Sequence, residues 1–425
     1  MRNGINKTKG YKSMKKVSMV KKNRVAILTN NLICNLNSKY FGTMERYFEL
    51  NGWEVRKDFN VSKVVISACG VTNNMFDVAK RAVDDLRTIG FPEEDIIIVG
   101  CQTKTHEGVW REEFSGQLVG IGKEEELDAV IGAALPFKEV EELNVFDPTG
   151  EGMAGDKEKQ FAIQISSGCL QQCTFCAIKH ARGFIKSNPI EKIEAQFRLA
   201  VQSGYKNIAM LGSDTFAYGY DTKDTNIIEL LNHLLSIDDS VNFFFGNLHV
   251  RWLNEYCDGI IDLCNRGAIS FINIGLQHIN DDVLHSMGRP SFLPTYEILK
   301  KIRKACPNLT IACEIMVGFH GETEEQFEEL LEFFRQDKCF NIVSHFMYSD
   351  VKSVAAYKFQ NKISEEEKAK RWKRLTEVLG DRYPHKAYKK QSEEDLKGIN
   401  KAYEKQIEAG YYFCKNTYEL VGGEN

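Results

Sequence analysis

Three cysteines, Cys169, Cys173 and Cys176, stand in the segment QISSGCLQQCTFCAIKHARG with the spacing C-x3-C-x2-C. Three thiolates on one short loop can wrap one face of a cubane [4Fe–4S] cluster. The fourth iron then has no protein ligand and stays open to a small molecule, which separates such a site from an electron-transfer cluster with four cysteines. Zinc is the alternative, with His180 as the fourth ligand, although zinc usually takes paired C-x2-C elements. Packed free thiols at this spacing would be a redox liability.

A second set is spread out. Cys34, Cys69 and Cys101 are separated by 35 and 32 positions, about one β/α unit each. Cys69 and Cys101 follow apolar runs that read as strands, and Cys34 lies in the loop after another. Strand ends in a parallel sheet share one edge, so three thiols at matching positions of three units can converge on one point. Spacing alone leaves coincidence open; convergence on a second cluster is the sharper reading.

The elements that must position these thiols alternate regularly. Arg24–Thr29, Lys63–Ala68 and Asp95–Val99 are short, β-branched runs, with helical patterns over Ser38–Leu50 and Asn74–Ile89 between them. A β-α-β-α-β order argues for a parallel sheet. Residues 138–158, rich in Glu and Gly, read as a linker. Strands are then expected at Phe161–Ile165, Asn207–Leu211, Val241–Phe245, Ser270–Ile274, Leu309–Val317 and Asn341–Phe346. The helices between them are Pro189–Ser203, Asn226–Ser236, Leu253–Asn265, Pro294–Ala305 and Thr323–Asp337. Six β/α units in series fit a partial barrel, whose chemistry belongs at the C-terminal ends of its strands. Cys169 to Cys176 follow the first of these strands. Beyond the barrel, Ser364 and Glu367 are spaced as a capping box.

The expected fold class is α/β: an amino-terminal parallel-sheet β/α domain over 24–137, the linker, and a partial (β/α)6 barrel over 159–362. A basic, disordered tail is expected over 1–23, and a helical and coil extension over 363–425.

Twelve cysteines among 425 residues favour metal binding or catalysis over disulfides in a reducing compartment. Six of them, Cys257, Cys264, Cys306, Cys313, Cys339 and Cys414, show no ligand-like clustering. No apolar run is long enough to cross a bilayer, and the basic start lacks an apolar h-region, so a cytoplasmic protein with no membrane partner is expected. Residues 1–24 hold nine Lys or Arg and no acid, which leaves a net charge of −13 on the rest. Such a body lacks the positive field of a typical nucleic-acid binder.

The C-x3-C-x2-C motif with Phe175 before its last cysteine resembles the radical S-adenosylmethionine superfamily. Over residues 24 to about 360 the likeness narrows to its methylthiotransferases. The matching segments are LTNNLICNLNS, VVISACGVTNN, IIIVGCQTKT, FCAIKHARG, MLGSDTFAYGYD, INIGLQHINDDVLHSMGRP, EIMVGFHGETEEQFEE and FMYSD. GFHGET stands where the family has GFPGET, and LQHIND where it commonly has a QSGS-like run.

The resemblance implies two [4Fe–4S] clusters, one on Cys169, Cys173 and Cys176 and an auxiliary one on Cys34, Cys69 and Cys101, with S-adenosylmethionine as cofactor. It places Phe175 near the adenine and Gly212, Ser213 and Asp214 beside the methionine moiety. Arg182 and Gln277 would face the cavity, and Gly318, Phe319, Gly321 and Glu322 would lie on the ribose and adenine side. The glycines serve equally as turn residues, and Glu322 equally as a first-turn helix acid. No side chain is singled out as a catalytic acid or base.

The implied reaction is replacement of C–H by C–SCH3, fed by a sulfur source and an electron donor such as flavodoxin or ferredoxin. Alternatives are sulfur insertion without methylation, an iron–sulfur electron carrier and a zinc-stabilised binding module. Family branches modify tRNA adenosines or a ribosomal-protein aspartate and commonly end in a small β-barrel, the TRAM domain. Residues 381–425 hold only Ile399, Ile407, Thr417 and Val421 as β-branched residues, too few for several strands. With the acidic body, this favours a peptide or protein substrate, with tRNA as the alternative.

Overall fold

The computed structural model describes residues 23–29, 35–146, 160–382, 412–413 and 418–419. The basic start, Cys34, most of the expected linker and most of the tail lie outside the described residues. A first sheet is formed by β1 (Arg24–Thr29), β2 (Glu54–Arg56), β3 (Lys63–Ser67), β4 (Ile96–Val99) and β5 (Gln117–Val119), all parallel. Around it lie α1 (Asn35–Leu50), α2 (Asn73–Thr88), α3 (Gln102–Thr105), α4 (Glu107–Glu113) and α5 (Glu124–Ile131).

Strand alternation explains why whole runs such as IIIV are buried. Ala26, Leu28, Val64, Ile66, Ile96 and Ile98 pack on one face with residues of α2. Val25, Ile27, Val65, Ile97 and Val99 pack on the other with Phe41, Met44 and Phe48 of α1. A sheet covered on both faces has no room for polar alternation.

The second sheet is the partial barrel. Its elements in chain order are β6 (Val145–Phe146), β7 (Gln160–Gln164), β8 (Ser166–Ser167), α6 (Ala177–Arg182), β9 (Lys186–Ser187), α7 (Ile190–Gln202), β10 (Asn207–Leu211), α8 (Ile227–Ile237), β11 (Asn242–His249), α9 (Arg251–Asn265), β12 (Ile269–Gln277), α10 (Asp281–Ser286), α11 (Phe292–Ala305), β13 (Thr310–Val317), α12 (Glu324–Gln336), β14 (Ile342–Met347) and α13 (Glu365–Leu379). Strands β7, β10, β11, β12, β13 and β14 are parallel neighbours in chain order. Phe243, Phe245, Ile272, Ile274, Cys313 and Ile315 face the helical layer. The alternate positions Gly246, Asn273, Gly275 and Glu314 face inward, where the barrel must admit its ligands.

Three findings correct the expectations. Val145–Phe146, inside the stretch expected to be linker, pairs antiparallel with β7. The tail contributes β15 (Tyr412–Phe413) to the edge of β1 and β16 (Tyr418–Glu419) to the edge of β6, where helix and coil were expected. Ser364 caps α13 by accepting the Glu367 N–H at 3.2 Å, but the Glu367 carboxylate accepts from Arg371 Nε at 3.1 Å. The reciprocal half of the capping box is thereby taken by a side chain one turn on.

Among the described residues, two polar links join the sheets. Lys39 and Lys192 both reach Glu142, at 2.7 and 2.9 Å. At the N-terminus of α2, the Asn73 N–H donates to Ser349 Oγ at 2.8 Å and its amide to the Asp350 carbonyl at 3.1 Å.

Candidate active site

The loop from Gly168 to Cys176 leaves the first barrel strand and is held at many points. Gly168 has φ of +73°, and a Cβ there would run into the Phe184 carbonyl, so glycine is required on both counts. The small β8–β9 pair ties the base of the loop. The Cys169 N–H donates to the Gly183 carbonyl at 3.2 Å. Lys179 Nζ donates to the carbonyls of Leu170 and Gln171. Thr174 Oγ1 donates to the Ser286 carbonyl at 2.8 Å.

All three thiols are partly exposed, and their surroundings differ. Cys169 Sγ accepts the Gln171 N–H at 3.4 Å and lies 4.0 Å from Asp214 Oδ2. Burial and then the Asp214 charge push its thiol up to about 12. Cys176 is raised mainly by burial. Metal assembly therefore has to displace protons from these thiols.

Cys173 Sγ has His249 Nε2 at 3.8 Å and accepts from Arg289 Nη1 at 3.4 Å. Arg289 is 6 % exposed, and its Nε and Nη2 have no partner among the described residues. A buried guanidinium with two free donors is built to receive an anion. His249 is pushed down to about 2 by burial, with Arg289 and Arg251 adding repulsion, so its imidazole is neutral.

Asp214 is 2 % exposed, and Trp252 Nε1 donates to both of its oxygens at 2.9 Å. Burial raises its pKa, while the bonds from Trp252 and Gln171 pull part of the way back. Gly212 and Ser213 precede it at the end of β10. A Cβ on Gly212 would strike Ser166 Oγ, and Ser213 Oγ is buried without a partner among the described residues. Gln277 ends β12 at a register shift, with φ of +76°, unusual for a residue with a Cβ. Its amide lies over Gly275, and so does Arg289 Nη2.

Gly318 and Gly321 have φ of +74° and +86° in the loop after β13. Phe319 is fully buried among Phe175, Ala177 and Tyr348. The Glu322 side chain is fully buried; it accepts from the Gly318 N–H at 2.6 Å and from Arg371 Nη1 at 2.8 Å, and lies 3.0 Å from His278 Nε2. Its carboxylate is thus taken up by protein and ties α13 to the barrel. His278 and Asn280, where the sequence leaves the family pattern, support this latch and cap α10. His320 lies 3.0 Å from Asp350 and stacks on Phe319.

In the first sheet, Ser67 and Val99 are register partners, so Cys69 and Cys101, two residues beyond each, emerge side by side. Both are 4 % exposed. Gln102 Nε2 donates to the Cys69 carbonyl at 2.7 Å and fixes the two loops together. Strand β1, which leads to Cys34, is the neighbour of β3. Helix α3, starting after Cys101, packs on α6, starting after Cys176. Arg182 is close enough to Tyr40 to oppose the rise in its pKa, which burial and Glu124 cause. It therefore lies toward the first sheet.

Sequence reasoning missed His249, Trp252, Arg289, Asn273 and Glu314. Asn273 Nδ2 donates to Glu314 Oε1 at 3.0 Å, and burial raises the Glu314 pKa. His249 closes the third barrel strand and Trp252 lies in the first turn of the helix that follows, where a strand-end rule would have flagged them. Arg289 stands in the quoted MGRP segment.

Among the described residues no group of His, Cys, Asp or Glu side chains is spaced to hold a single metal ion. His180, the fourth ligand of the zinc alternative, is exposed. Three thiols with a buried acid, a neutral imidazole and a buried guanidinium suit a cluster with one open iron and a charged small molecule on it.

Comparison agrees. Residues 163–334 match the radical SAM superfamily. This is a radical S-adenosylmethionine enzyme. The chain is 31 % identical to the ribosomal protein uS12 methylthiotransferase RimO of Saccharophagus degradans, over 78 % of this chain and 71 % of that protein. A protein of the same description from Natranaerobius thermophilus is 26 % identical, over 82 % of this chain and 80 % of its own. The chain belongs to the radical SAM methylthiotransferase family and is a transferase. In fold it is similar to the radical S-adenosylmethionine methyltransferase TsrM from Kitasatospora setae, with a TM-score of 0.50 at 14 % identity, covering 76 % of this chain and 74 % of that one. No helix among the described residues is long and apolar enough to cross a membrane.

Proposed function

We propose that this enzyme replaces a C–H bond by C–SCH3 on a residue of a peptide or protein. It would use one [4Fe–4S] cluster on Cys169, Cys173 and Cys176 and a second on Cys34, Cys69 and Cys101. The observation that carries this reading is the packing of α3 on α6, which sets the two cysteine-bearing sheet edges against each other. When bound, the first cluster with S-adenosylmethionine would supply a radical that takes the substrate hydrogen, and the second would supply the sulfur to which the substrate carbon then bonds.

The chain's own residues orient and shield. Arg289 has free donors for the carboxylate of S-adenosylmethionine, and Gly212, Ser213 and Asp214 border its amino-acid end. Gln277, Gly318, Phe319 and Gly321 shape the nucleoside side, with Phe175 near the adenine. Glu322 acts there through the Gly318 N–H it holds. An aromatic wall of buried Phe319 and Tyr348, with half-buried Phe175 against it, keeps water away. A low-potential donor such as flavodoxin or ferredoxin, a sulfur source and a cytoplasmic setting complete the reading.

The relatives are described as acting on ribosomal protein uS12, which supports a protein residue as the target. The test is anaerobic reconstitution with reductant, sulfide and S-adenosylmethionine. Bulk tRNA, ribosomal protein uS12 and small peptides encoded beside the gene are then supplied separately. A CH2S mass gain on a protein or peptide is expected. Methylthiolated nucleoside with no such gain would overturn the substrate assignment, and bare sulfur insertion would overturn the methylation.

A further inference from the structure

We infer that His249 is a positioning residue that donates its Nε2 proton to the Cys173 sulfur and so, beside Arg289, raises the reduction potential of the cluster this cysteine holds. The inference rests on the three-cysteine site described above.

The tautomer is fixed locally. His249 Nδ1 accepts the Arg251 backbone N–H at 3.2 Å, so the ring proton sits on Nε2. That nitrogen faces Cys173 Sγ at 3.8 Å, and Arg289 Nη1 reaches the same sulfur at 3.4 Å. Register shifts between β11 and β12, at Phe245/Leu248, turn the end of β11 and deliver the imidazole to the cysteine loop.

The three sulfurs are not equivalent. Among the described residues, side-chain donors converge on Cys173. Cys169 has a backbone donor and the buried Asp214 carboxylate close by, and Cys176 is served by the backbone of Lys179 and Ile178. A hydrogen bond to a ligating sulfur stabilises the electron that reduction adds, and a nearby carboxylate opposes it. The donors at Cys173 therefore offset the nearby Asp214 carboxylate. Nothing in the cysteine spacing requires a histidine at 249.

The experiment is a redox titration of the reconstituted full chain, read at the electron paramagnetic resonance signal that S-adenosylmethionine perturbs. His249→Phe keeps an aromatic ring and removes the donor. His249→Asn keeps an amide that is too short to reach. His249→Gln restores an N–H near Nε2. Lower midpoint potentials are expected in the Phe and Asn variants, and a value near wild type in Gln, at equal iron content. If the Phe variant fails to load iron, the comparison of Asn with Gln decides the same question. Equal potentials in wild type and Asn, or a Gln variant as low as Asn, overturn the inference. A wild-type signal that S-adenosylmethionine leaves unperturbed would instead count against the site itself.

Discussion

Two sheet edges in this molecule carry cysteines in the same way, just beyond the C-terminal ends of parallel strands, yet they are dressed differently. At the barrel edge the thiols are partly exposed and ringed by groups that carry or control charge: Asp214, Trp252, His249 and Arg289. At the first-sheet edge Cys69 and Cys101 are nearly buried beside Gln102 and Thr105, with a Gln102 amide holding backbone carbonyls. The difference matches the roles proposed for the two edges. A site that binds a zwitterion and accepts electrons needs placed charges in low dielectric. A site that stores and passes sulfur needs exclusion of water and a fixed backbone.

The largest effect should come from breaking the barrel edge. Replacing Cys169, Cys173 and Cys176 together by Ala should abolish 5′-deoxyadenosine formation and leave roughly half of about eight irons per chain. Chromatography of the nucleoside and iron analysis check this; nucleoside formation at the wild-type rate would refute the division of labour.

Breaking the other edge should give the complementary phenotype. The double variant Cys69→Ala, Cys101→Ala should also lose about half its iron. It should still cleave S-adenosylmethionine, and no sulfur should reach any product. A normal methylthiolated product from this variant would end the auxiliary-cluster proposal.

A finer test asks whether the charge at the barrel edge serves the cofactor. Arg289→Met removes a buried donor while keeping bulk. It should raise the dissociation constant for S-adenosylmethionine about 10–100-fold, the loss of a charged hydrogen bond, with iron content unchanged. An unaltered constant would show that Arg289 serves only Cys173.

The contrast also shows what was legible in the sequence. Strand runs such as KVVIS and IIIV are readable because both faces are buried, and the six barrel strands fall within a few residues of their expected places. Strand β5 is only three residues, QLV, too short to carry a pattern, and it went unseen. The cysteines announce themselves by spacing. Their partners do not: Arg289 meets Cys173 across 116 positions, and Trp252 meets Asp214 across 38. The family resemblance puts Glu322 on the nucleoside side, whereas its buried pairing with Arg371, 49 residues on, depends on where α13 docks. Contacts of that range are set by the closed fold and leave no local signature.

The smallest predicted effect lies at the junction that keeps the two edges facing each other. Glu142 lies between Lys39 of α1 and Lys192 of α7. Burial pushes its carboxyl up, but the two lysines outweigh burial and bring it down to about 2. An unfolded glutamate titrates near ~4.3. A carboxylate whose pKa is depressed by folding adds stability above the unfolded value and loses it as pH falls through the folded one. The contribution is therefore full at neutral pH and fades between roughly pH 4 and 2. The Glu142 side chain is 30 % exposed, so solvent screening reduces the effect to about 1–2 kcal/mol. Glu142→Gln should lower the unfolding free energy from urea titration at pH 7 by that amount, and the gap to wild type should close toward pH 2. A gap that stayed constant with pH would mean that Glu142 acts by packing alone, and that charge does not hold the two cysteine-bearing edges in register.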